Sequence, residues 1–191
     1  MDAIRPRVSY AVFERAPEDG RRYEIYDGEV FVVPSPLPFH QLVAQNLEDM
    51  FRAWVRRHGG IILISPIDIV LSEYDVVQPD LVFFTPARRH LVQLKQAIRV
   101  SPDIAVEILS PSTAATDRGR KMQLLARYGV SEYWLVDPDA RTVEAYRLKG
   151  GIYVLGQLAS GADAVRSVEA PGLECPLAEL FRTDLQESPE R

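Results

Sequence analysis

The alternation of apolar and polar positions divides the chain into elements before any chemistry is considered. RRYEIYDGEVFVVPSP, residues 21 to 36, reads as a β-hairpin, because two β-rich runs flank Asp27-Gly28, a pair suited to the positive φ angles of a tight turn. Pro34, Pro36 and Pro38 end it. From about 38 to 58, Leu42, Val43, Leu47, Met50, Phe51, Trp54 and Val55 recur at helical spacing, and Gly59-Gly60 supplies a stop, which predicts a long amphipathic helix. IILISPIDIVL gives two short strands or one bent strand around Pro66, and QPDLVFFT a strand apolar on both faces, as a central strand is. Residues 86 to 100 read as a connection with one helical turn at most. SPDIAVEILSPST, residues 101 to 113, is a further buried strand, after which PST caps a helix from Ala114 to Tyr128 closed by Gly129. SEYWLVDP is another strand, with Asp137 in the turn that follows, and TVEAYRL with GGIYVLG forms a second hairpin.

Hairpin, helix, several strands, helix, strand and hairpin in that order fit an α/β domain with a mixed sheet better than a regular alternating parallel one. With 191 residues and 47% hydrophobic composition, one core is expected, hence a single domain over 1–191 with a polar tail from about 184 to 191. No run approaches a membrane span and the N-terminus lacks the apolar core of a secretory signal, so a cytoplasmic protein without a membrane partner is expected. Cys175 is the lone cysteine and His40, His58 and His90 are scattered, which excludes an internal disulfide and any recognisable zinc spacing.

Net charge −5 argues against a protein that coats nucleic acid electrostatically. It does not exclude a nuclease, whose site is acidic because it holds Mg²⁺. Arginines in RPR (5 to 7), RR (21 to 22), RAWVRRH (52 to 58) and RR (88 to 89) provide cations that a fold could gather on one face.

One position contradicts its surroundings. Glu107 lies among Ile104, Ala105, Val106, Ile108 and Leu109, where an unpaired carboxylate would cost several kcal/mol. It needs a cation, an altered pKa or a metal. Asp80 opens the other buried strand, and Lys121 falls on a helical stripe with Ala114, Arg118, Leu125 and Tyr128, from which it can point back toward the Glu107 strand. Only three of the 22 basic residues are lysines, so a lysine in this place is distinctive.

YEIYDGEVFVVPSP, DIVLSEYDVVQPDLVFF, PDIAVEILSPST and KMQLLARYGVSEYWLVDP, in this order, resemble the Uma-type endonuclease family of the PD-(D/E)XK nuclease superfamily over roughly residues 20 to 182. The resemblance implies a restriction-endonuclease-like fold, a mixed β-sheet flanked by helices, and phosphodiester hydrolysis supported by Mg²⁺, with Mn²⁺ able to substitute. It makes Pro79-Asp80 the PD and Glu107 the second acid. The E-x-K lysine position holds Leu109 instead, and the family's migrated lysine corresponds to Lys121. Two carboxylates with the Ile108 backbone carbonyl would hold the metal through hard oxygens. Glu24 is either the counterpart of an N-terminal acid that similar families place near the metal or an exposed charge on a hairpin strand. DNA is the expected substrate, and a homodimer the expected assembly, since cutting both strands needs two sites.

Each residue also has a structural alternative. Glu107 could pair with an arginine, Asp80 could cap a turn after Pro79, and Lys121 could form an i,i+4 pair with Asp117 on a solvated face. His40, at the start of the long helix, either faces the site as an accessory residue or is a capping or surface histidine. Trp54, Tyr128, Tyr133 and Trp134 read as core or interface. The competing function is a catalytically silent oligomeric or nucleic-acid-binding module of the same fold, favoured by the acidic pI and the missing E-x-K.

Overall fold

A computed structural model describes residues 7–17 and 19–183. The polar tail from 184 and two residues of the RPR cluster, Arg5 and Pro6, lie outside the described residues. After a short helix α1 (Tyr10–Phe13), the chain forms β1 (Arg22–Tyr26), β2 (Glu29–Val33), the long helix α2 (Pro38–His58), β3 (Ile61–Ile64), β4 (Ile69–Ser72), β5 (Asp75–Val77) and β6 (Leu81–Phe84). Then come β7 (Ile104–Ile108), a helical segment built of α3 (Ala114–Thr116), a π turn (Asp117–Lys121) and α4 (Met122–Arg127), and β8 (Glu132–Asp137). The hairpin β9 (Thr142–Lys149) and β10 (Ile152–Ala159), the small pair β11 (Ala164–Arg166) and β12 (Glu174–Pro176), and α5 (Leu177–Leu180) complete it.

Six strands form the main sheet in the order β10-β9-β8-β7-β6-β3, in which only β7 and β8 run parallel. A second sheet has the order β2-β1-β5-β4. The expected α/β architecture with a mixed sheet flanked by helices is therefore present. The first hairpin turns where Asp27 (φ 50°) and Gly28 (φ 85°) supply the left-handed pair, and Gly59 (φ 82°) ends α2 by donating its N–H to the Val55 carbonyl. The two strands around Pro66 separate completely: β3 edges the main sheet while β4 edges the second. The connection 86–100 holds one tight turn, at Arg89–Leu91.

Apolar residues fill both faces of the main sheet, which is why β6 and β7 read as continuous hydrophobic runs. On one face Val43, Leu47, Phe51 and Trp54 of α2 pack on Leu81, Phe83, Ile104, Val106 and Trp134, with Phe51 and Trp134 ring centroids 5.6 Å apart. On the other, Leu124 and Leu125 of α4 pack with Tyr26, Val82, Phe84, Ala105 and Tyr133. Strand alternation sends Glu107 to the face of Ala105 and Leu109, toward α4.

Two sequence expectations need correction. The helix from Ala114 to Tyr128 is not uniform, because a π turn occupies Asp117–Lys121, and Thr113 before it makes no side-chain capping bond. Ser110, Ser112 and Thr113 instead share hydroxyl hydrogen bonds of 3.0 Å with one another, satisfying each other in place of the helix end. Asp137 is the last residue of β8 and not in the turn itself, which it caps by accepting the Ala140 N–H at 2.9 Å.

Candidate functional site

Glu107 finds its cation in Lys121, whose Nζ lies 2.9 Å from Glu107 Oε1. The alternative pairing of Lys121 with Asp117 also exists, at 3.2 Å, but not on a solvated face: Asp117 is 2% and Lys121 3% exposed. A third carboxylate completes the cluster, with Glu24 Oε1 at 3.0 Å from the same ammonium. One buried lysine is thus held by acids from β1, β7 and its own π turn. A π turn adds a residue to the helical circuit and re-aims the side chains that follow, and such insertions recur at functional sites. Here it spans Asp117 to Lys121, the two residues of this segment that meet beside the β7 carboxylate.

Asp80 immediately precedes β6. The β6–β7 register, which pairs Leu81 with Val106, sets Asp80 across from Glu107 when continued by one residue, so both carboxylates leave the same face. On its other side the β3–β6 ladder also runs one residue further, with the Ser65 N–H donating to the Asp80 carbonyl at 3.1 Å. Asp80 Oδ2 accepts the Ile108 N–H at 2.8 Å and faces His40 Nε2 at 3.2 Å. His40 therefore turns from the first turn of α2 into the site, and its buried Nδ1 has no hydrogen-bond partner among the described residues. Glu24 uses both oxygens: Oε1 also accepts the Gln78 N–H at 2.7 Å, and Oε2 the Tyr26 hydroxyl at 2.6 Å.

Electrostatics follow from this crowding. Burial, the largest influence on Glu107, pushes its carboxyl well above the usual range, and Asp117, Asp80 and Glu24 push it the same way against Lys121. Burial likewise raises Asp117, partly offset by Lys121. For Lys121 burial acts alone in the opposite sense, favouring the neutral amine, but Glu107, Glu24, Tyr26 and Asp117 together outweigh it and hold its pKa well above the ordinary value. Lys121 is therefore a fixed ammonium, not a base at neutral pH. Tyr133, buried beneath the cluster and donating to the Asp117 carbonyl at 3.1 Å, is pushed well up and stays a phenol.

These groups form the floor of a cavity of about 460 Å³, which Asp80, Glu107, Ile108, Lys121, Glu24 and His40 all line. Among the described residues no group of three or more His, Cys, Asp and Glu side chains is arranged to hold a metal ion. The donor chemistry nonetheless suits a hard divalent cation, since Glu24, Glu107 and Asp117 share the single Lys121 ammonium, Asp80 lies beside them, and buried negative charge in excess of its cations is costly. Asp80 and Glu107 offer the oxygens least engaged by protein donors, with the Ile108 carbonyl beside them.

The sequence singled out Asp80, Glu107, Lys121, Glu24 and His40, and the fold brings all five to one cavity. It missed Asp117 as a buried member, Gln78 and Tyr26 as the donors that hold Glu24, and Tyr133 as the donor to the Asp117 backbone carbonyl. Only Asp117, four residues before Lys121, carried a local signal.

Residues 10–178 match the model of the Uma2 family, described as "Putative restriction endonuclease". The fold is similar to the crystal structure of a "putative nuclease belonging to DUF820" from Anabaena variabilis ATCC 29413, with a TM-score of 0.75 and 21% identity over 91% of this chain and 97% of that one. No curated protein matches the chain.

Proposed function

The chain belongs to the Uma2 family, and from that premise we propose that it is a divalent-metal-dependent endonuclease that hydrolyses phosphodiester bonds in DNA. The observation that carries this reading is the convergence of Asp80, Glu107 and Lys121, from three separate segments, on one cavity floor. Asp80, Glu107 and the Ile108 carbonyl would hold Mg²⁺ or Mn²⁺. Bound there, the ion supplies Lewis-acid stabilisation of the pentavalent phosphorus and a water of lowered pKa.

The chain's own residues divide the remaining tasks. The Ile108 N–H and His40 fix one Asp80 oxygen, which leaves the other free to turn into the cavity. Lys121, held protonated, offsets negative charge as it develops on the phosphate oxygens, the use to which a preorganised buried ammonium is best suited. Glu24 and Asp117 aim that ammonium. Glu24, with both oxygens engaged, serves better as a lysine anchor than as a metal ligand. Action in the cytoplasm by a homodimer completes the proposal; no helix among the described residues is long and apolar enough to cross a membrane.

A second reading, a silent module of the same fold, draws on the hold of three carboxylates on Lys121. Metal separates the two. The nuclease reading expects Mg²⁺ or Mn²⁺ to raise the melting temperature and to support chelator-sensitive cleavage of DNA. A protein that gains no stability from either ion and cuts no DNA would leave only the silent module.

A further inference from the structure

We propose that this site takes an unpaired strand and not an intact duplex, admitting one nucleotide into the cavity with its base against the β2 wall. The inference rests on the nuclease reading and concerns the form of nucleic acid the cavity can accept. Depth is the first observation. Glu107 and Lys121 are 4% and 3% exposed, so a phosphate reaches them only by entering the cavity. The volume of about 460 Å³ suits a single small ligand or nucleotide. B-DNA, whose major groove alone is about 12 Å wide, would bring its second strand against the cavity lip before a phosphate reached that floor.

The walls are the second observation. One is apolar, formed by Phe31, Val32, Pro34, Pro36 and Leu37, and Phe31, Val32 and Leu37 stand 40%, 54% and 68% exposed at the lip. Phe31 is held in place, with Tyr26 edge-on at 5.5 Å between centroids and the Arg120 guanidinium 5.0 Å from its ring. The prolines fix their own φ angles and limit how far this wall can yield. The hydroxyl-bearing residues Ser110, Ser112, Thr113 and Thr116 also line the cavity. Hydroxyls of this kind hydrogen-bond phosphate and sugar without reading sequence.

Charge is the third. Among the described residues, Arg22, bonded to Gln78 through Nε at 3.1 Å, and Lys121 are the lysine and arginine side chains that line the cavity. Duplex binding rests on many cations spread against two charged backbones. An exposed aromatic on an apolar wall, with a few cations near it, fits single-strand binding, in which base stacking adds to backbone contacts.

The test measures binding and cleavage separately on the full-length protein. Fluorescence anisotropy in Ca²⁺ compares a labelled 20-nucleotide single strand, the same strand in a blunt duplex, and a duplex with a single-stranded overhang; cleavage of each is then followed in Mg²⁺ and Mn²⁺. The single strand and the overhang should bind at least tenfold more tightly than the blunt duplex, with cuts confined to unpaired nucleotides. Phe31→Ala should weaken single-strand binding on the order of ten- to a hundredfold, and Phe31→Trp should retain it. A blunt duplex bound and cut as well as the single strand overturns this inference while sustaining the nuclease reading. Single-strand binding that is lost in Phe31→Ala, without cleavage of any probe, sustains the inference and removes the nuclease reading. Failure to bind any probe, or Phe31→Ala binding as the parent does, overturns it.

Discussion

Replacing Lys121 with methionine tests the electrostatic account of the site most directly. The substitution keeps a long side chain but removes the one ammonium facing Glu107, Glu24 and Asp117 at 2.9, 3.0 and 3.2 Å. Three nearly inaccessible carboxylates then lose their shared partner, and breaking a buried pair by removing one member costs about 3–5 kcal/mol. At about 2–4 °C per kcal/mol for a chain of this size, the melting temperature should fall by about 6–20 °C near pH 8. Acid should reverse much of that loss. Glu107 and Asp117 already have raised pKa values while Lys121 pulls them down, so its removal raises them further. A raised carboxyl adds stability that is fully present below its unfolded pKa and lost as pH climbs through the folded value. Near pH 5 the variant's carboxyls take up protons and its deficit should shrink to less than half. Thermal and urea melts of parent and variant at pH 5 and pH 8 measure both quantities. An equal deficit at the two pH values, or one below about 1 kcal/mol at pH 8 as for an exposed pair, would refute the reasoning.

Glu107→Gln leaves Lys121 two carboxylates while relieving the acid that burial penalises most, and Asp80→Asn keeps an acceptor for the Ile108 N–H. Both variants should therefore match or exceed the parent's melting temperature without metal and lose the Mg²⁺ or Mn²⁺ stabilisation; a marked drop in both apo proteins would remove the metal assignment. Because a metal must compete with the proton for the Glu107 carboxyl, whose pKa is raised, the melting shift produced by Mg²⁺ should grow from pH 5 to pH 8, as scanning calorimetry at fixed Mg²⁺ would show. A shift independent of pH would place the ion elsewhere. Phe51→Ala opens a void between α2 and the main sheet where Phe51 meets Phe83 and Trp134, and should cost about 3–5 kcal/mol in urea unfolding without changing the apparent affinity for metal per folded molecule.

What could be read along the chain was whatever depends on short range. The Asp27-Gly28 turn, both limits of α2 and the conflict between Glu107 and its neighbours are properties of a few consecutive residues, because backbone conformation and side-chain period are set locally. Lys121 could be paired with that strand because only one helix start separates them. The π turn could not be read, since Asp117 to Lys121 carries no signal in apolar spacing and its geometry answers to where the lysine is held. Nor could the parting of β3 and β4 into different sheets, which depends on what pairs with each edge. The tertiary structure alone decided that Glu24, from the distant first hairpin, would share the Lys121 ammonium, that Asp117 would be buried and not solvated, and that His40 would meet Asp80. Those meetings follow from strand order and packing across long loops. A charge shows in the sequence that it needs a partner, but only the closed fold determines which partner it has.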